Sequence, residues 1–576
     1  MNWQDNIAIW QDNQEKLPDY LKKELTNIQA DNKQAQEAFS NNLEFGTAGM
    51  RAIMGPGTNR LNLLTVGQTT EGLARLMDQL SVNDKKRGVV ISYDSRLHSA
   101  EFATHCAQIL GHHQIPVYLF DALRPTPELS FAIRHLEAYA GIMITASHNS
   151  KEYNGYKIYG EDGGQMPPKN VQIVVDELEK ITNLFDIETA SITDLEASGL
   201  LTYIGEDVDQ AYLEKLKTVS INEELNKEQG KDLKIVYTPL HGTGKMLYRQ
   251  VFEMNHFKQV YVVAKQAILD PGFSTIKTPN PEFIETFDLA KKQADEVAAD
   301  LIIATDPDAD RLGVAVRNSE HNFEVLTGNQ IAAIVTQYIL ESRYQLGQLE
   351  QNSEIVKSIV SSELPAKIAT DYGVKCCNVL TGFKYIGEEI ERLNESHSGH
   401  FLFGFEESYG YLLKDFVRDK DAMQAALILA ETAAFYKAKD KTLYDAMQDI
   451  YQKYGYFVEK TYSFEFDGLD GAMKMKQLMQ RLRSHLLTDL DGTDIVKIED
   501  YLSQVIHYEG KEEAFIQYPK ADVLKYYLKD GTWLALRPSG TEPKIKLYIG
   551  VETDTQKQAD EKIENYQKVF FELMTQ

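Results

Sequence analysis

Short apolar runs rich in Val, Ile and Tyr alternate with amphipathic stretches of helical length through the first half of this 576-residue chain. Arg87 to Tyr93 (RGVVISY), Ile115 to Phe120 (IPVYLF), Gly141 to Thr145 (GIMIT), Leu233 to Tyr237 (LKIVY), Gln259 to Val263 (QVYVV) and Asp300 to Ala304 (DLIIA) read as buried strands. Ala100 to His112 and Glu282 to Ala298 read as helices between them. The alternation predicts an α/β fold of parallel sheets with helices on both faces. Such sheets bind ligands beyond the carboxyl ends of their strands, so the polar residues directly after each apolar run are where chemistry belongs. Near the C-terminus the grammar changes. Thr532 to Leu536 and Lys544 to Val551 flank a loop, and a last helix runs from Thr555 to about Leu573, which reads as a small α+β module with an antiparallel sheet. Charge-dense polar stretches divide the chain near residues 205, 320 and 455, giving domains 1–205, 206–320, 321–455 and 456–576. No repeat of solenoid or propeller length is visible.

Composition narrows the function classes. A formal net charge of -26 argues against broad binding to nucleic acid or membrane, both of which want a basic surface. A small anion is still compatible if a few Arg and Lys residues converge. No apolar run approaches the roughly 20 residues that span a bilayer, and the first residues lack a secretory pattern. Three cysteines, two of them adjacent (Cys376 and Cys377), form no disulfide framework, which fits a reducing cytoplasm.

Three loops carry the chemistry. After GIMIT comes TASHNSKEYNGYKIYG, in which Ser147 is a possible nucleophile; a polar turn between strands is the plainer reading of those residues alone. The nucleophile elbow of serine hydrolases is absent, because Gly stands neither two before nor two after Ser147. After DLIIA comes TDPDADRLGVAV, with Asp306, Asp308 and Asp310 at alternate positions. Carboxylates this close repel unless protonated or neutralised, and hard oxygen ligands suit magnesium. Arg311 beside them is placed to orient a carboxylate or contact a phosphate. In LRPSGTEPKIK, Arg537 offers a planar fork, Ser539 and Thr541 offer hydroxyls, and Gly540 lets backbone N–H groups approach an anion. LEFGTAGMR puts a turn before Arg51, and GFEESYGY offers Glu406, Glu407 and Ser408 at a strand end. HGTGK is not a P-loop, since Pro239 and Met246 stand where Gly and Ser or Thr belong; it reads as a strand-to-helix turn.

With TASHN, DPDADR, GFEES and RPSGTEP in that order, the chain resembles the α-D-phosphohexomutases, from about Leu43 to about Gly550. FGTAGMR and the length look most like the branch containing bacterial phosphoglucomutases and animal phosphopentomutases. The resemblance implies four domains around a central cleft, three with mixed or parallel sheets between helices and a C-terminal α+β domain. It also implies a phosphoserine at Ser147 and Mg2+ held by Asp306, Asp308 and Asp310 with a phosphoserine oxygen. Glu406 and Ser408 match the sugar-hydroxyl loop, and Thr381 and Gly382 of LTGFKYIG a further substrate loop. Arg537, Ser539, Gly540 and Thr541 match the clamp on the non-reacting phosphate. Arg51, His148 and Lys157 match residues beside the phosphoserine, Lys157 as proton acceptor, and Lys420 of VRDKDA a basic residue of some members. Two departures, Ser150 where the family has Pro and Tyr409 after EES, bear on which sugar is taken.

The reaction so implied interconverts glucose 1-phosphate and glucose 6-phosphate through glucose 1,6-bisphosphate, in a cytoplasmic monomer or homodimer whose partners are small sugar phosphates. Pentose, mannose and sugar-bisphosphate chemistries of the same family are the alternatives. A haloacid-dehalogenase-type phosphatase would use the DxD loop but leave the serine and arginine loops unexplained. A non-catalytic sugar-phosphate sensor would not need Ser147.

Overall fold

The computed structural model of the protein describes residues 2–46, 49–466, 471–508, 512–515, 518–539 and 544–575. The chain packs into two units, Met1–Leu326 with Ser408–Thr442, and Thr327–Glu407 with Leu443–Gln576.

In the first unit, helices Trp3–Asp12, Asp19–Gln29 and Asn32–Phe39 bury Trp10, Leu21, Leu25 and Phe39 in a small core of their own. A six-stranded sheet follows. Its strands are β1 (Met50–Ile53), β2 (Val89–Tyr93), β3 (Val117–Phe120), β4 (Ala140–Ile144), β5 (Tyr153–Tyr159) and β6 (Leu201–Ile204), in the order β1-β5-β4-β2-β3-β6. A second sheet holds β7 (Lys234–Thr238), β8 (Gln259–Val262), β9 (Leu301–Thr305), β10 (Leu312–Arg317) and β11 (Phe323–Val325), ordered β11-β10-β9-β7-β8. Each apolar run named above falls on a strand.

Both sheets are mixed rather than parallel. β4 pairs with β2 in parallel but with β5 antiparallel, and β9 pairs with β7 in parallel but with β10 antiparallel. The reason lies in the connections. A parallel neighbour needs a crossover of a dozen or more residues, whereas an antiparallel one needs only a short turn. The serine loop (residues 145–152) and the carboxylate loop (residues 306–311) are those short turns. The helix expected over Glu282 to Ala298 is shorter, a 3-10 turn at Ile284–Phe287 followed by a helix at Asp288–Val297.

The second unit contains a parallel group, β12 (Ser353–Ser358) between β13 (Lys375–Val379) and β14 (His400–Glu406). It also contains an antiparallel sheet in which Tyr456–Glu465, Lys544–Thr553, Trp533–Pro538 and Leu524–Leu528 are successive neighbours. The helix Gln556–Thr575 packs on that sheet through Ile563, Tyr566 and Phe570. Among the described residues, no helix is long and apolar enough to cross a membrane.

Gly155 governs how closely β5 approaches its neighbours. A Cβ there would sit 2.4 Å from the Thr145 carbonyl oxygen and 2.8 Å from that of Met50, both backbone atoms with little freedom to move. Gly155→Ala is expected to pry β5 from β1 and β4, costing about 1–3 kcal/mol; a lowered urea midpoint for the full chain checks this, and an unchanged midpoint refutes it.

Candidate active site

Ser147 stands in the β4–β5 turn with φ 52°, a left-handed backbone that side chains other than Gly rarely adopt. Ala309 in the carboxylate turn (φ 51°) and Tyr409 after the Glu406–Glu407 pair (φ 67°) share that conformation. Each such residue costs on the order of 1–3 kcal/mol and persists only where its surroundings hold it. For Ser147 the surroundings are specific. The buried Arg96 donates through Nη2 to the carbonyls of Ser147 (2.5 Å) and Asn149 (2.6 Å), and through Nη1 to those of Ser150 (2.8 Å) and Tyr153 (3.0 Å). Arg96 Nε lies 3.2 Å from Asp94 Oδ2, and the guanidinium sits over the Phe273 ring at 4.9 Å. Asp94 Oδ2 accepts from Thr145 Oγ1 (2.7 Å), and Thr145 Oγ1 in turn accepts from the Ser147 backbone N–H (2.8 Å). One guanidinium therefore gathers four carbonyls from residues 147–153.

The hydroxyl so positioned meets the carboxylates. Ser147 Oγ donates to Asp306 Oδ2 at 2.7 Å and lies 3.1 Å from His148 Nδ1. Asp306, Asp308 and Asp310 are all buried, and one oxygen from each lies within 4.8 Å of the others. Asp306 Oδ1 accepts from the backbone N–H groups of Asp310 (3.2 Å) and Arg311 (3.0 Å). Asp308 Oδ2 accepts from Thr126 Oγ1 and from Lys157 Nζ, each at 3.0 Å. Lys420 Nζ is 3.0 Å from Asp310 Oδ2 and 3.1 Å from Asp419 Oδ1, and Asp419 is held by Tyr159 and Gln165. Arg51 on β1 donates to Asn149 Oδ1 at 2.9 Å, and Arg311 to Glu282 Oε1 at 2.8 Å.

Charge decides what this cluster wants. Burial, then repulsion from Asp308 and Asp310, pushes Asp306 well above the ordinary carboxyl range. Burial pulls Asp308 the same way, but the Lys157 ammonium and hydrogen bonds from Asp306 and Lys157 outweigh it and hold Asp308 well below that range. Without a cation, then, repulsion and burial work against full charge on all three carboxyls. Two further oxygens, Asp308 Oδ1 and Asp310 Oδ1, are buried with no hydrogen-bond partner among the described residues. Buried orphan carboxylate oxygens facing one small space are what a hard divalent cation satisfies, so the trio fits Mg2+. His148 is held well below its usual value by burial and by the positive charges of Arg311 and Arg51, so its imidazole is neutral.

Ser147, His148, Arg51, Lys157, Lys420, Arg311 and the three aspartates are thus brought together in the first unit. Ser408, half-buried in its turn, belongs to the same unit. In the second unit, Glu406 Oε1 accepts from the Gly382 N–H at 2.8 Å, which joins the two expected sugar loops. Gly382 has φ 121°, and the buried Thr381 Oγ1 beside it has no hydrogen-bond partner among the described residues. Glu407 braces its loop, accepting from Ser358 Oγ (3.0 Å) and Ser361 Oγ (3.2 Å). Arg537 is the penultimate residue of the strand Trp533–Pro538, and the Ser539 N–H donates to the Lys544 carbonyl at 2.8 Å. Gly540 and Thr541 lie outside the described residues. Tyr409 is an anchor: its buried ring turns inward and its hydroxyl donates to the Leu326 carbonyl at 3.1 Å. Sequence reading missed Asp94, Arg96, Thr126 and Asp419, although YDSR follows directly on an apolar run and RPT follows one after a gap of three residues.

Comparison with known proteins gives the family. The three α/β/α domains described for phosphoglucomutase/phosphomannomutase match residues 42–185, 210–319 and 327–454, and the C-terminal domain of that family matches residues 488–565. The chain belongs to the phosphoglucomutase/phosphomannomutase family, the α-D-phosphohexomutases. It is 39% identical to a phosphoglucomutase of Staphylococcus epidermidis over 93% of this chain and 96% of that one. A phosphoglucomutase of Staphylococcus aureus is 38% identical over 93% and 94%. Among solved structures, pp63/parafusin, a phosphoglucomutase from Paramecium in its open form, shares the fold with a TM-score of 0.68 at 19% identity, covering 93% of this chain and 95% of that one. A family member from Burkholderia thailandensis gives 0.64 at 17% identity, covering 92% and 97%.

The hold of Arg96 on the serine turn is open to measurement. Lysine keeps the charge but is a point donor without the planar fork, so Arg96→Lys releases several buried carbonyls at once. Amide hydrogen exchange across residues 147–153 is expected to speed up by at least about tenfold, given about 1–3 kcal/mol for each buried group left unpaired. Unchanged protection there would remove Arg96 from this role.

Proposed function

We propose that the protein is a mutase that interconverts glucose 1-phosphate and glucose 6-phosphate, carrying the phosphoryl group on Ser147. The observation that carries the reading is the 2.7 Å hydrogen bond from Ser147 Oγ to the buried carboxylate trio. It is supported by relatives named phosphoglucomutase at 38–39% identity over nearly the full chain.

In this reading, Asp306, Asp308, Asp310 and Ser147 hold Mg2+, which when bound neutralises charge on the phosphoryl oxygens. The protein's own groups do the rest. Phosphoryl transfer needs positioning and charge neutralisation more than covalent assistance. Arg96 and Thr145 fix Ser147 Oγ at the turn, and Arg51 adds positive charge beside it. A sugar hydroxyl forms its new O–P bond as the Ser147 Oγ–P bond breaks, and we assign Lys157, in its neutral amine form, as acceptor of the hydroxyl proton; the ammonium so formed adds positive charge beside the transferring group. His148 and Lys420 complete the basic surroundings. Arg311, Thr381, Gly382, Glu406 and Ser408 orient the sugar, while Arg537, Ser539, Gly540 and Thr541 take the phosphate that does not react. Glucose 1,6-bisphosphate then turns end for end, and its other phosphate returns to Ser147. The domains divide near residues 205, 320 and 455, and the enzyme works in the cytoplasm on small sugar phosphates.

Ser147→Ala removes the carrier. Mutase turnover is expected to fall by at least about a thousandfold, as for other covalent nucleophiles, and label from 32P-glucose 1,6-bisphosphate should no longer reach the protein. Near-normal turnover in this variant would end the assignment. For the substrate, kcat/KM is expected to be highest on glucose 1-phosphate among the glucose, mannose and ribose 1-phosphates; a higher value on either of the others reassigns the sugar without touching the phosphoserine.

A further inference from the structure

Among the described residues, two groups of side chains bring metal-ligand atoms within 4.8 Å of one another: the aspartate trio, and Glu354 with Cys377 and Glu389. The second group lies in the second unit and has no part in the proposed phosphoryl transfer. Its placement follows from register. β12 and β13 run parallel with Glu354 opposite Lys375 and Val356 opposite Cys377. Because side chains alternate along a strand, Glu354, Lys375 and Cys377 share one face, while Cys376 points to the other. The helix Phe383–Ser396 packs on β12 and β13 and supplies Glu389.

Glu354 is only 6% exposed, and its Oε2 is buried with no hydrogen-bond partner among the described residues. Its other oxygen pairs with Lys375 Nζ at 2.8 Å, and Glu389 pairs with Arg392. Both cations belong to the rim. The Lys375 side chain is 61% exposed and that of Arg392 47%, so each can swing into water at small cost. Behind them remain a sulfur, an orphan carboxylate oxygen and a second carboxylate, converging from two strands and a helix.

We propose that Glu354, Cys377 and Glu389 form a second metal site, one for a thiophilic divalent cation such as Zn2+ or its analogue Cd2+. Sulfur with two carboxylates matches the borderline-soft preference of these ions and not that of Mg2+. Binding forms a metal–sulfur bond and releases the thiol proton to solvent. Burial, then the neighbouring Glu389 and Glu354 charges, push the Cys377 thiol up to about 11 when no cation is present. The two carboxylates that disfavour a bare thiolate favour a cation beside it. An ion here would tie β12 and β13 to the helix that begins just after Gly382, so it would stiffen the base of a substrate loop without touching substrate.

The test uses the full-length protein, reduced and kept in excess Mg2+ so that the aspartate trio is saturated. Titration with Cd2+ is followed by thiolate-to-metal charge-transfer absorbance. The expected result is one saturable band that is lost in Cys377→Ser and kept in Cys376→Ser. Glu389→Gln, on the solvent side of the cluster, should weaken Cd2+ binding by at least the roughly tenfold that even an outer-shell partner contributes, and this arm does not depend on how well the serine variant folds. Absence of a band in the parent protein, persistence of the band in Cys377→Ser, equal loss in Cys376→Ser, or unchanged affinity in Glu389→Gln would each overturn the site.

Discussion

Three buried carboxylates within 4.8 Å of one another cannot all be charged in an apolar interior without a counter-charge. That constraint organises the first unit. Lys157 comes from β5 to meet Asp308, Lys420 comes from a segment more than a hundred residues downstream to meet Asp310, and Ser147 gives its hydroxyl hydrogen to Asp306. Thr126, at the start of the helix Thr126–His135, holds Asp308 by both backbone and side chain. Removing one partner of such a buried pair costs about 3–5 kcal/mol, because the other charge is left stranded. The aspartates are therefore as much the keystone of the fold here as they are the candidate metal site, and the strand ends that converge on them are fixed by that need.

The architecture of the two sheets explains why the chemistry stands where it does. In an otherwise parallel sheet, the tight turns are those at which the chain reverses into an antiparallel neighbour. β4 to β5 and β9 to β10 are such reversals, and they carry Ser147 and Asp306–Asp310. A tight turn at a strand end gathers its side chains beyond the sheet, and its left-handed residues, Ser147 and Ala309, show that the backbone has been bent further than the residues themselves prefer. A helical crossover at the same place would have carried the next residues away over the face of the sheet.

This distinction also marks what could be read from the residues alone. Apolar runs fix where strands lie, because hydrophobic periodicity is a local signal; RGVVISY, GIMIT and DLIIA needed no partner to be recognised. Strand direction is not local. Nothing within KIYG states that β5 runs against β4, so parallel sheets were the natural expectation and the reversals emerge only from the pairing. The candidate site divides in the same way. Ser147, the aspartates and Arg311 stand in loops crowded with chemistry-bearing residues. Arg96 stands in YDSRLHS, where nothing announces a buried guanidinium that gathers four carbonyls from residues 147–153. Tyr409 errs in the other direction: its place in the sugar loop suggested a voice in substrate choice, yet its ring is buried and its hydroxyl is spent on Leu326. A residue's neighbours in sequence say which chemistry is available, and its neighbours across the fold say whether it is used.

An anionic substrate poses a problem for a chain of net charge -26, and the pairings around Ser147 indicate how it is met. The cations near the serine turn are not loose surface charges awaiting a phosphate. Lys157 is committed to Asp308, Lys420 to Asp310 and Asp419, and Arg311 to Glu282. Such pairing holds each cation in place in advance, so little side-chain entropy is lost when an anion arrives. It also means that a phosphate must compete with carboxylates for the same donors. A divalent cation on the aspartates would draw their charge onto itself and leave the ammonium groups of Lys157 and Lys420 with unspent attraction for an anion. Metal affinity and phosphate affinity are then coupled through charge balance alone, with each ligand strengthening the other by the same factor. The local electrostatics, rather than the overall charge of the protein, decide what the site accepts.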